Sequence, residues 1–212
     1  MDNEVISELL TDDEIVACAV WCEKPWLGPL PTIDIDDVAD LTLAVRRGQR
    51  SLFVRRLTDD QGTPDSSLLD LVSRLAGPVD CLSVLIADGE LYRATYDLST
   101  LHYPSDGGWI VESIETSGVH SFEFSSNESN SDYLAAVVDS AMEFGPAGDR
   151  DDAEGLQFIV LSARVGGTER IVALGKGRVG FGTVSGDGGG EIERFEPSDG
   201  FTGNAVIARL LG

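Results

Sequence analysis

The chain has 212 residues, 37 acidic against 15 basic side chains, and a formal net charge of −22. A surface of that sign repels phosphate backbones and anionic lipid, which argues against nucleic acid or a charged membrane as general partner. No apolar run approaches the ~20 residues of a membrane span, and the acidic opening "MDNEVISELLTDDE" is unlike a signal peptide, so a cytoplasmic location is expected.

In chain order, "TDDEIVACAVWC" opens with a capping-box pattern, Thr11 followed by Glu14. Ile15, Val16, Ala19 and Val20 then share a helical face. "EKPWLGPLP", with Pro25, Pro29 and Pro31, stops that helix and makes an extended connector. A second helix is expected from Asp34–Asp37, with Val38, Leu41 and Val45 facing inward. "TPDSSLLDLVSRLAGP" is a third, with Asp65 as cap and Gly77-Pro78 as terminator.

From "DCLSVLIADGELYRATYDL" onward the pattern is that of strands. This stretch reads as two runs joined at Asp88-Gly89, a pair suited to a tight hairpin turn. "GGWIVESIETSGVHSFEF" gives two more runs around Gly118. "SNSDYLAAVVDSAMEF" follows as a capped helix with Leu134, Val137, Val138 and Ala141 on one stripe. After the polar stretch 145–155 the order repeats: a hairpin across Gly166-Gly167, a glycine-rich pair of runs, and a closing helix with Val206, Ile207, Leu210 and Leu211. Two units of four strands and a helix therefore recur, each with an apolar sheet face and one helix to cover it. The expected class is α+β. It consists of a mainly antiparallel sheet in two pseudo-symmetric halves, each with four strands followed by a helix, plus N-terminal helices.

Several motifs bear on chemistry. Gly175, Gly177, Gly180 and Gly182 reproduce G-x-G-x-x-G, but a dinucleotide site needs a helix after the glycines, and Phe181, Thr183 and Val184 continue as strand. A glycine-rich hairpin is the plainer reading. His120, in "VHSFEF", is expected as a packed, hydrogen-bonded imidazole, and His102 lies in a polar connector. Neither sits at ligand spacing from other histidines or cysteines, so no metal site is expected. Cys18, Cys22 and Cys81 are an odd set, against a disulfide framework; the first two share a helical face and are read as core packing. The acidic runs "DIDD" and "DRDD" lack the calcium-loop pattern and are read as caps or linkers. "RRGQRSLFVRR" gathers Arg46, Arg47, Arg50, Arg55 and Arg56, for which pairing with nearby carboxylates is expected. No catalytic set and no cofactor emerge.

The stretches "LTDDEIVACAVW", "RRLTDDQGTPDSSLLDLVSRLAGPVDCLSVLIADGELYRATYDL" and "RFEPSDGFTGNAVIARLL" stand in an order that resembles the EspG family, cytosolic chaperones of mycobacterial type VII secretion. The resemblance implies a single domain over 1–212, with halves 1–144 and 156–212 joined by the linker 145–155. It implies a protein that binds the hydrophobic tip of a PPE protein within a PE–PPE heterodimer, keeps it soluble until export, and catalyses nothing. The family's contact uses an extended loop between two early strands, the sheet face and a helical bundle. The matching loop is "DLSTLHYPSDGGW", so Leu101, His102, Tyr103, Pro104 and Trp109 are the implied partner-binding residues. Two features depart from the family: Arg56 stands where a glycine is usual, and the segment from Phe124 to Gly155 has room for one good helix instead of two or three. The alternatives are an interaction or regulatory module of the same fold with an unrelated protein partner, and a small nucleotide-binding enzyme using "GKGRVGFG".

Overall fold

The computed structural model describes residues 9–77, 80–87, 99–144, 158–165, 168–184 and 190–212. Those residues form an α+β protein, as expected. In chain order they make β1 (Leu10–Thr11), α1 (Asp12–Trp21), α2 (Val38–Val54), α3 (Ser66–Leu75), β2 (Cys81–Ala87), β3 (Ser99–Ser105), β4 (Gly108–Ile114) and β5 (Val119–Ser126). After these come α4 (Asn127–Phe144), β6 (Phe158–Val165), β7 (Thr168–Gly175), β8 (Arg178–Val184), β9 (Gly190–Pro197) and α5 (Gly203–Leu211). The strands join in one antiparallel sheet of order β1-β5-β4-β3-β2-β6-β7-β8-β9. β2–β5 with α4 and β6–β9 with α5 each make four strands and a helix, but β3 is not the expected second run, since "ELYRATYDL" lies outside the described residues and β3 falls in the segment expected as a connector. The turns expected at Asp88-Gly89 and Gly166-Gly167, and the linker 145–155, lie outside the described residues.

Contacts group the chain into two units, residues 6–79 with 113–122, and the remainder. In the first, the helical unit, Thr11 caps α1 as its spacing predicts. Its hydroxyl accepts from Glu14 N–H at 3.3 Å, while the Glu14 carboxylate accepts from Thr11 N–H at 2.9 Å. Helix α1 is closed off on nearly every side: Ile15, Val16, Ala17, Cys18 and Ala19 are buried. Asp37 caps α2, accepting from Ala39 N–H at 2.8 Å, so part of the "DIDD" run is a helix cap. Asp65 stands at the N-cap position of α3 without a side-chain capping bond.

The inward face of α2 differs from the expected one. Ala44, Gly48 and Leu52 are buried, whereas Val38 is 76% exposed and Leu41 and Val45 are half-buried. The reason is Gly48. A β-carbon there would lie 1.9 Å from the Asp13 carbonyl oxygen, so the missing side chain lets α1 and α2 approach on that line. Hydrophobic spacing alone gave the bulkier residues the inner place.

In the second, the sheet unit, strand pairing brings like residues onto one face. Leu82 lies opposite Ala163, Leu161 opposite Val172, and Leu174 opposite Val179. Leu134, Val138, Ala141 and Met142 of α4 and Val206, Ile207 and Leu210 of α5 pack on that face to form the core. Each fully buried leucine contributes about 2 kcal/mol of transfer free energy. Val137 and Leu211, expected on the same stripes, are only half-buried.

Candidate protein-binding site

The segment expected as an extended loop is mostly strand. Thr100, Leu101 and Tyr103 favour extended backbone, and Asp106-Gly107, with φ +81° at Gly107, turns β3 tightly into β4. Strand alternation then decides what each of the five residues can do. Leu101, His102 and Tyr103 are buried, Pro104 is exposed and Trp109 is half-buried. The first three therefore hold the hairpin in place, and Pro104 and Trp109 retain open surface.

His102 couples strand to helix. Its Nδ1 lies 2.6 Å from Asn130 Oδ1 on α4, and its Nε2 lies 3.1 Å from Thr100 Oγ1. The Tyr133 ring stacks on it, centroids 5.8 Å apart, and stays 44% exposed. Burial holds the imidazole pKa below its ordinary 6.5, against the opposing pull of the Asn130 hydrogen bond. On the other side of β3, the Tyr103 hydroxyl donates to Glu112 Oε2 at 2.8 Å. Burial, reinforced by that carboxylate, raises the phenol well above its usual range. Because Tyr103 and Glu112 share one side of the sheet, alternation puts Pro104 and Trp109 on the side of His102 and Tyr133. The sequence reading missed Tyr133 and Phe124. Phe124 is 38% exposed and its ring covers Gly108, where a β-carbon would lie 2.6 Å from Cζ. An aromatic on a helix face carries no sign of exposure in a single sequence.

The other motifs resolve into structure. Gly175–Gly182 is the β7–β8 hairpin, with Lys176-Gly177 as its turn and strand on both sides, so the glycines are not followed by the helix a dinucleotide site needs. Gly177 N–H donates to Met142 O at 2.8 Å, tying the turn to α4. His120 is buried as expected, with Nε2 2.6 Å from Asp12 Oδ1. Both side chains are closed to solvent. Cys18 is fully buried, its thiol pushed up to about 12 chiefly by burial, and the Cys22 thiol donates to Leu69 O at 3.5 Å. Both cysteines are packing residues. Among the described residues no three His, Cys, Asp or Glu side chains converge as metal ligands would, and no helix is long and apolar enough to cross a membrane.

The arginine cluster divides. Arg47 pairs with Asp13 at 2.8 Å, and Arg55 with the buried Glu14 at 2.7 Å, as expected. Arg46, Arg50 and Arg56 are exposed, without an ion pair among the described residues.

No family model and no curated protein matches the sequence. Among solved structures, this chain is similar to the Mycobacterium tuberculosis type VII secretion system chaperone EspG5 in complex with the PE25–PPE41 dimer. The TM-score is 0.50 at 9% identity, over 84% of this chain and 87% of that one. The fold is EspG-like. At such identity the likeness is one of fold, extending over most of both chains. One departure from the EspG pattern has a backbone consequence. Arg56 adopts φ +62°, the left-handed region, where a glycine costs least. Among the described residues a single helix, α4, lies between β5 and β6, where the sequence has room for one.

Proposed function

We propose that the protein is a chaperone or adaptor of the EspG type. In this reading it binds the apolar tip of a PE–PPE-like helical pair, keeps the pair soluble, and delivers it for export from the cytoplasm. The observation that carries it is the fold likeness over 84% of the chain to a chaperone captured with such a pair. The composition agrees, since a highly acidic protein with a few open aromatics suits protein binding and repels nucleic acid. Pro104 and Trp109 at the end of the β3–β4 hairpin, on the sheet side where Tyr133 stacks on His102, are the contact; Leu101, His102 and Tyr103 fix its position. A rigid aromatic with a polar rim is the usual anchor of a protein interface.

Co-expression of the chain with PE–PPE-like pairs encoded beside its gene tests this. A tagged pair is expected to retain the protein, and Trp109→Ala is expected to weaken retention at least tenfold. A chain that purifies alone from every neighbouring pair contradicts the proposal. An unrelated captured protein would favour the same fold serving a different partner.

A further inference from the structure

Helix α2 carries a second apolar stripe that its packing on α1 does not use. Leu41 and Val45, with Val16, Ala19, Trp26 and Leu30, line an open cleft of about 460 Å³ within the helical unit. At its mouth Val20 and Ile35 are 55% and 62% exposed. This volume is in the range that takes several side chains of a ligand. The wall also holds an unmet donor. The Trp26 indole Nε1 is buried, with no acceptor among the described residues.

Carboxylates gather at one end of the cleft, around Ile35. Asp34, Asp36 and Asp37 are exposed beside Ile35, and none pairs with a cation among the described residues. Asp34 and Asp37 each accept one backbone N–H, at 3.1 Å from Asp36 and 2.8 Å from Ala39. The cation in the lining is Lys24, and its ammonium is turned to α3, where it donates to Ser73 O at 2.6 Å and Ser73 Oγ at 3.2 Å. Only its methylenes are left for the cleft wall.

We infer that this cleft binds a basic amphipathic helix of a partner protein, with apolar side chains in the cleft and Lys or Arg over Asp34, Asp36 and Asp37. An apolar floor with exposed carboxylates at one end, and its lysine turned aside, fits that chemistry and disfavours an acidic occupant. The net charge of the whole chain steers such a segment inward. The site lies in a different unit from Pro104 and Trp109, so it stands or falls separately from the PE–PPE reading.

The test uses the full chain and two synthetic helical peptides, one of Leu and Lys on opposite faces, the other with Glu in place of Lys. Fluorescence anisotropy at moderate salt is expected to show binding of the Leu/Lys peptide alone. Thr42→Trp, which adds bulk at the exposed mouth, is expected to lower affinity at least tenfold, and Asp36→Lys several-fold. Thermal melts confirm that each variant is folded; where Thr42→Trp is not, Val45→Gln replaces it. Absence of binding overturns the inference. So does Leu/Lys binding unchanged by the mouth variant, which is adhesion to net charge alone, or equal binding of the Leu/Glu peptide. Self-association of the chain that Thr42→Trp abolishes would also overturn it, by giving the cleft to a second copy.

Discussion

Asp12 and His120, 108 residues apart in the chain, meet at 2.6 Å with neither side chain exposed to solvent. The Asp12 carboxylate also accepts from Thr32 N–H at 2.7 Å and Thr32 Oγ1–H at 2.6 Å. It thereby ties β5, the start of α1 and the proline connector together. Removing one member leaves buried polar groups unmet. Asp12→Ala is therefore expected to lower the unfolding free energy by about 3 kcal/mol, read from urea denaturation.

Burial alone would raise the Asp12 pKa, but the hydrogen bonds from His120 and Thr32 outweigh it, and the value falls below the ordinary 3.8. A carboxyl whose folded pKa is depressed stabilises the fold above its unfolded pKa and loses that contribution as pH falls through the folded value. Stability is expected to decline below about pH 4. In Asp12→Asn the decline in that window is shallower, as denaturation midpoints across pH would show.

His102 acts in a higher window. Its folded pKa is depressed chiefly by burial, so the neutral ring is the native form. The unfolded chain takes up the proton first. Stability is full above the ordinary 6.5 and declines as pH falls from there towards the folded value. His102→Gln, which does not titrate, is expected to flatten the slope just below pH 6.5 in the same measurement.

Helices α1 and α2 both end in a Schellman turn built on a non-glycine residue. Lys24 N–H reaches Ala19 O and Glu23 N–H reaches Val20 O, with φ +54° at Glu23. Leu57 N–H reaches Leu52 O and Arg56 N–H reaches Phe53 O, with φ +62° at Arg56. Both residues sit where glycine has no steric penalty. Glu23→Gly and Arg56→Gly are each expected to raise stability by about 0.5–1 kcal/mol. Chemical denaturation of the single variants decides.

Two glycines work in the opposite sense. A β-carbon at Gly203 would stand 2.2 Å from Ala135 O, where α5 meets α4, and one at Gly48 would stand 1.9 Å from Asp13 O. Neither neighbour is a flexible side chain, so the helices themselves must shift. Gly48→Ala and Gly203→Ala are each expected to cost about 2–3 kcal/mol and to lower the melting temperature.

Much of the fold was legible because its signals are local. Thr11 and Glu14 specify the start of α1 by spacing alone, and both halves of the capping box are present. The stripe of Leu134, Val138 and Ala141 gives the buried face of α4 directly. What misled was long-range. The polar letters of "STLHYPSDGG" suggested a loop, but His102 and Thr100 are satisfied by each other and by Asn130, so the segment is buried as strand. The inward face of α2 depended on the absence of a side chain at Gly48, which a hydrophobic pattern does not weigh. Of the candidate site, Pro104 and Trp109 keep open surface, while Tyr133 owes its place to stacking on a histidine of another element.

The central claim is that this chain grips a PE–PPE-like pair as a stoichiometric chaperone. Light scattering on the co-purified material, resolved by size exclusion, tests it most directly. The account predicts one species heavier than the helical pair by one copy of this 22.6 kDa chain. Separate elution of the protein and the pair, at micromolar concentration and moderate salt, would contradict it.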